Sequence, residues 1–295
     1  MRESFGDRMF GITVYISITL VTLAVIYPLL YVLSASFSEP GAVLRGELWL
    51  WPVNPTLDAY QSVFNNQDVW TGFRNTFLYT TLGTLFNLVL SVMVAYPLSR
   101  KDFYGRRILT IFLVFTMFFN GGMIPTYLLV RDLGMLNTIW AIIVPGAVSV
   151  YNVIIIRTFF QNIPEELKES AELDGCSNIQ YLLRILLPLS KPVIAVMILF
   201  YGVSQWNAFF DALIYLTDRG LYPLQLFLRE MLIQEQMADM IQLADSTLDA
   251  HAMRIEGIKY AVVIVASLPM LILYPFLQRF FCQGSHDWLF KGMKL

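Results

Sequence analysis

Apolar residues in this chain neither alternate nor keep to one face of a helix. They run without a charged residue through six stretches, residues 11–38, 75–99, 108–130, 133–156, 192–210 and 260–278. A helix that crosses a bilayer needs about 20 consecutive, mainly apolar residues. The pattern therefore predicts an all-α, polytopic membrane protein with six transmembrane helices in a single domain over residues 1–295. The last two stretches are the shortest. The first is too long for the core of a secretory signal and holds Tyr27-Pro28 where a cleavage site would lie, so it is expected to be a retained span.

Composition agrees. Hydrophobic residues make up 57% of the chain and charged residues 14%, against about 25% charged in a soluble domain. Such a surface is too apolar for water alone, so lipid is the expected partner. A net charge of −2 gives no global basic field and no reason to expect a nucleic acid. Cys176, Cys282, His251 and His286 are widely separated, with no metal-ligand spacing and no disulfide framework.

Lysine and arginine set the orientation. Arg2, Arg8, Arg100, Lys101, Arg106, Arg107, Arg157, Lys168, Arg184, Lys191, Arg279, Lys291 and Lys294 fall on one side of the predicted spans. Arg45, Arg74, Arg131, Arg219, Arg229, Arg254 and Lys259 fall on the other. The richer side, which also has the shorter loops, is predicted to be cytoplasmic, with both termini on it. Two long outer loops result. Residues 34–74 carry Trp49, Trp51, Pro52 and Pro55, suited to the membrane interface. Residues 217–257 are acidic, with helical apolar spacing over 221–243, and read as a solvated cap or as a docking surface for an extracytoplasmic partner.

One inner loop, residues 157–191, breaks the apolar pattern and reads as two short helices. Asn162 offers a cap, Pro164 suits a first turn, and Glu165 and Glu166 suit the positive end of a helix dipole. Gly175 can take the left-handed conformation that ends a helix. Ser177 and Gln180 have capping-box spacing, and Ile179, Leu182, Leu183, Leu186 and Leu187 follow. In the first helix Leu167, Ser170, Ala171 and Asp174 share a face of small and weakly apolar residues ringed by Glu165, Glu166, Glu169 and Glu172. That helix has too little apolar surface to sink into lipid and the wrong charge for an anionic leaflet, so a groove on another protein is the expected seat.

The letters and spacing of this loop resemble a known pattern. Glu169-Ser170-Ala171, then Gly175, then Ile185-Leu186-Leu187-Pro188 is similar to the EAA loop of permease subunits of bacterial ABC importers, with serine where a second alanine is usual. The flanks IPEELKESAELDG and LLPLSKPVIAV resemble the maltose-type sugar permeases. The resemblance implies a type I ABC importer permease fold (MetI-like) in a bacterial plasma membrane. The coupling residues it implies are Leu167, Glu169, Ser170, Ala171, Asp174, Gly175, Ile185 and Pro188. Glu169 would pair with a basic group on a separate ATPase, Ala171 would allow close approach, and Gly175 would make the turn. The implied partners are a homologous second permease, two cytoplasmic ATPases that bind ATP and Mg, and an extracytoplasmic solute-binding protein. No G-x-x-x-x-G-K-[ST] phosphate loop occurs in this chain, so ATP hydrolysis is expected elsewhere.

Polar residues inside spans are the candidates for a solute path. They are Asn120 beside Gly121, Gly122 and Pro125, which should bend the third span; Tyr151 and Asn152 in the fourth; and Gln205, Trp206, Asn207 and Asp211 in the fifth. Helix packing would use the same residue types. The related permeases carry a similar W-N-x-F motif at the last cluster, and amides beside an aromatic ring suit sugars. The expected activity is import of a sugar, an oligosaccharide by this resemblance, by a subunit that is not itself an enzyme. A permease for peptides or amino acids would keep the same coupling loop. A membrane-embedded enzyme would need a catalytic constellation within the spans, and neither histidine is placed for one.

Overall fold

In the computed structural model, the described residues are 5–231, 233 and 258–275. His251, His286, Cys282, most of the acidic segment at 217–257 and the end of the last apolar run lie outside them. The described residues are helical with connecting loops and contain no strand. They cluster into two compact units, Met1–Trp70 with Phe227–Leu268, and Thr71–Leu226 with Pro269–Leu295.

In the first unit, α1 (Phe5–Phe37) is apolar round its central turns and exposed over most of its length, with only Ser34, Ala35 and Ser36 buried near its end; Phe10 is 73% exposed and Leu20 62%. A helix of this kind needs an apolar surrounding from outside its own chain. Beyond it lie α2 (Pro40–Leu44) and α3 (Asp58–Asn65). The segment between them folds back on the end of α1. Thr56 N donates to Phe37 O at 2.8 Å, and the Ser38 hydroxyl accepts from Val53 N and donates to Ser34 O. Trp49 and Trp51 remain 72% and 83% exposed.

The second unit is built on α4 (Gln67–Ser99) from Thr71 onward. Next come α5 (Arg106–Phe118), α6 (Met123–Asp132), α7 (Trp140–Ile143), α8 (Val150–Gln161) and α9 (Glu166–Leu173). A near-continuous helical segment follows: α10 (Asn178–Tyr181), a π-helical turn (Leu182–Leu186) and α11 (Leu187–Leu189). After these come α12 (Lys191–Trp206) and α13 (Phe210–Tyr215).

Polar contacts define two ends of this unit. At one end Asn75 donates to Gly220 O and Tyr222 O, Tyr79 to Leu221 O, and the Asn137 carbonyl accepts from Thr217 N and Asp218 N. At the other, Tyr96 and Arg100 reach Asn178, and Lys101 reaches Glu165. Tyr79 and Ser99 mark the two ends on α4, about 30 Å apart at 1.5 Å per residue, which matches the thickness of a bilayer's hydrocarbon core. The chain thus runs between the ends four times, in α4, in α5–α6, through residues 140–161, and in α12.

Not all these passages are continuous helices. Three helices among the described residues are long and apolar enough to cross a membrane, Gly6–Phe37, Gln67–Ser99 and Ile258–Pro275. The number is five if two bent pairs each count as one span. The expected bend in the third stretch is present. Between α5 and α6 the axis turns by 112°, and Gly122 has φ +90° while its N–H bonds to the Asn120 side chain. The expectation of one helix over 133–156 is corrected. Residues 144–149 are non-helical between α7 and α8, because Pro145 has no N–H to continue the ladder and Gly146 gives it little support. The fifth stretch gives α12 and a separate α13, and α12 turns by 84° from the helical segment before it.

Tyr201 ties three of these pieces together. Its hydroxyl lies 2.5 Å from the Ser91 hydroxyl on α4 and accepts from Ser149 N, just before α8, at 3.3 Å. Tyr201→Phe leaves both groups short of a partner and is expected to lower the melting temperature of the detergent-solubilised protein by about 2–4 °C. A thermal-shift measurement that finds no change would remove this bond as a tie.

Candidate coupling site and solute path

The interrupted loop folds as its turn residues dictate. α9 ends in Gly175 at φ +78°, with Gly175 N bonded to Glu172 O and Cys176 N to Ala171 O, the paired bonds of a Schellman cap. Ser177 and Gln180 form both bonds of a capping box at the start of α10. Asn162 does not cap α9. It ends α8, its N–H bonding to Phe159 O while Ile163 N takes Phe160 O, and α9 starts from Glu165 without a side-chain cap. The π-helical turn has its cause in Pro188. Leu187 N reaches back five residues to Leu182 O. The widened turn eases the contact that a proline ring makes with the carbonyl four residues before it.

α9 has two different faces. Lys168, Ala171 and Glu172 look toward their own chain. Ala171 is 6% exposed and belongs to the largest apolar cluster, with Phe160, Tyr181, Leu186 and Met197. Ala171 therefore permits a close approach between α9 and its own bundle. On the other face Glu166, Glu169, Ser170 and Leu173 are exposed, Leu173 at 89%. Leu167 and Asp174 lie at its edge, both exposed, while Ile185 is half-buried and Pro188 exposed. The sequence pattern gave no weight to Leu173. Its only signal was a lone leucine with glutamates or serine three, four and seven residues before it.

Four charges join the inner face of α9 to the end of α4. Arg100 makes a two-pronged bond to Asp102 at 2.9 and 2.5 Å and lies 3.5 Å from Glu172. Lys168 lies 3.3 Å from Asp102 and 3.5 Å from Glu172. Arg100 also donates to the Tyr96 hydroxyl at 3.0 Å and to the Asn178 side chain. The bond from Arg100, and then that from Lys168, hold the Asp102 carboxyl far below the usual carboxylate range. Its contribution to stability is therefore complete above that range and is lost only as pH falls well beneath it. Asp102 is half-exposed, so solvent screens much of this contribution. Beside the cluster lies a cavity of about 540 Å³ lined by Arg106, Glu166 and Tyr181 among others.

The solute-path candidates do not converge on one surface. Asn120 and Tyr151 are exposed, and Asn152 is buried in the first turn of α8 with its N–H on the Ser149 cap. Trp206 is 3% exposed and packs edge-on against Phe73. Asn207 is exposed and donates to Val203 O of its own helix, and Asp211 is half-buried at the start of α13. Gln205 lies over Gly83, where a Cβ would meet its amide at 2.9 Å. Nearby, Thr84 faces Gly202 across the α4–α12 contact, and Asn87 is buried on the same helix. Such residues inside a span are functional candidates by default, but nothing in the apolar run around them marks that Gly83 and Thr84 meet Gln205 and Gly202.

Gly175 meets no neighbour within 4 Å, so a side chain there is opposed by backbone conformation alone. Gly175→Ala should cost about 1–2 kcal/mol and speed exchange of the Cys176 amide about tenfold. Unchanged protection in hydrogen-exchange mass spectrometry would show that the loop can close without the left-handed residue.

Comparisons with known proteins bear on the family and the fold. Residues 87–284 match the family described as binding-protein-dependent transport system inner membrane component. The chain is 40% identical over 292 residues to Protein LplC of Bacillus subtilis, covering 99% of this chain and 98% of that one. It is 38% identical to the polygalacturonan/rhamnogalacturonan transport system permease protein YtcP of the same organism, covering 95% and 97%. A crystal structure of a bacterial ABC transporter involved in import of the acidic polysaccharide alginate contains a chain that superposes with a TM-score of 0.85 at 33% identity, covering 95% of this chain and 99% of that chain. With its helical membrane fold and its match over residues 87–284, this chain belongs to the binding-protein-dependent inner membrane components, the permease subunits of ABC importers.

Proposed function

We propose that this permease forms one half of the membrane path of an oligosaccharide importer, with a homologous permease as the other half. Two ATPase subunits bind ATP and Mg on the cytoplasmic side, and a solute-binding protein delivers the sugar from outside. The observation that carries this reading is the two-faced α9. Its inner face is fixed to its own bundle, and Glu166, Glu169, Ser170 and Leu173 stand clear of it, acidic at the rim with one leucine to bury. An ATPase groove with an apolar floor and a basic edge fits that face. Closing of the ATPases on ATP then moves two such helices together and opens the outer side.

The cytoplasmic side is the end of the second unit that holds α9. Arg100, Lys101, Arg106, Arg107, Arg157 and Lys168 lie in the segments of that end, and Arg74, Arg131 and Arg219 lie toward the other. The four passages of this unit, with α1 and Ile258–Pro275, make six crossings and leave both chain ends in the cytoplasm. Residues 140–161 then cross as a broken segment, which is tolerated where backbone lines a cavity or is buried in protein.

Relatives point to the class of sugar. YtcP is named for polygalacturonan and rhamnogalacturonan, and the superposing transporter for alginate. These polymers share uronic acid units, so a short acidic oligosaccharide is the favoured solute here, above neutral maltodextrins, peptides or amino acids. The path is assigned to the polar positions around the α4–α12 contact and the α5–α6 break, with Gln205, Asn207 and Asn120 as contacts.

Glu169→Lys combined with Leu173→Asp should reduce ATP-driven uptake into proteoliposomes more than about tenfold while the permease still inserts. Normal uptake by the double variant would remove the outer face of α9 from coupling. In the unmodified transporter, galacturonate or alginate oligomers should stimulate ATP hydrolysis and enter, and maltotriose should do neither. The reverse preference would exclude the acidic class.

A further inference from the structure

The coupling reading assigns the outer face of α9 to the ATPase but leaves open which part of the membrane domain receives the motion. We propose that Arg100 is the positioning residue that makes α4 the receiving lever, and this rests on the transport function inferred above. Arg100 is the first residue after α4 and touches four segments: Tyr96 on α4, Asp102 in the following loop, Glu172 on α9 and Asn178 at the start of α10. Its side chain is 14% exposed, and that of Lys168, which closes the ring from α9, is 19% exposed.

Two cations and two carboxylates alternate in this ring, so neither pair can separate without leaving a half-buried charge uncompensated. Tyr96 adds a second link, donating to Asn178 O at 3.3 Å while its ring lies 5.8 Å beneath the Arg100 guanidinium. Ala171 sits between Lys168 and Glu172 and lets α9 approach closely enough for all these contacts. A push or pull on α9 therefore reaches the C-terminal end of α4 directly. From there α4, which carries Pro97 in its last turn, leads to Ser91, which holds Tyr201, and to Gly83, which lies under Gln205. The motor and the polar part of the path then share one helix.

The test uses the complete transporter with its ATPases, second permease and binding protein in proteoliposomes, recording both ATP hydrolysed and oligosaccharide taken up. Arg100→Met should lower uptake about tenfold while binding-protein-stimulated ATP hydrolysis stays within about twofold of the unmodified level, so the ATP spent per solute rises. A second form separates transmission from folding. In a background with Cys176→Ser and Cys282→Ser, Arg100→Cys with Glu172→Cys should be equally uncoupled when reduced. It should recover at least half of the lost uptake when a bifunctional methanethiosulfonate bridges the two thiols. Uptake and hydrolysis that both stay normal in Arg100→Met would overturn the proposal. So would uptake and hydrolysis that fall in parallel and do not recover on bridging, because Arg100 would then serve assembly alone. If the unmodified complex shows no ATP-driven uptake at all, the transport reading fails first.

Discussion

A ring of four charges at the end of α4 sets how α9 sits against its own bundle. A short acidic helix of this composition has too little apolar surface to hold itself against a membrane domain. Lys168 and Glu172, one turn apart on α9, engage Arg100 and Asp102 and so supply the attachment that hydrophobic burial cannot. The carboxylates are half-exposed, so the ring contributes modest stability. Its larger effect is on geometry. It fixes which side of α9 faces its own bundle, and that leaves Glu169 and Leu173 exposed on the other.

The same economy governs the breaks in the apolar runs. In lipid every backbone N–H and C=O must find a partner within the protein or in a wet cavity, so a helix may be interrupted only where something else satisfies it. The Asn120 side chain takes the Gly122 N–H between α5 and α6, and the Ser149 hydroxyl takes the Asn152 N–H at the start of α8. The π-helical turn before Pro188 keeps Leu187 bonded by reaching one residue further back. Each interruption costs a stretch of regular helix and leaves an irregular backbone whose polar groups are met by nearby side chains.

Much of this was legible along the chain. Uncharged runs of bilayer length announced the membrane class, and the order Ser177, Gln180 fixed a capping box that local geometry alone can close. Gly175 declared its left-handed turn because few other residues tolerate that conformation. The Asn120-Gly121-Gly122 break was equally local. Asn162 misled because a residue between two helices can serve the end of one or the start of the next, and only the backbone direction there settles which.

Sequence by itself determined the apolar lengths, the turn chemistry and the spacing of the loop over 157–191, since each depends on residues within a few positions of one another. Tertiary structure decided the rest. Arg100 and Glu172 are 72 positions apart and Gly83 and Gln205 more than 100, so no periodicity could pair them. Nor could spacing reveal that Ala171 turns inward or that Trp206 packs against Phe73. Those outcomes depend on which neighbours arrive from distant segments, and hydrophobicity along one strand of sequence carries no record of them.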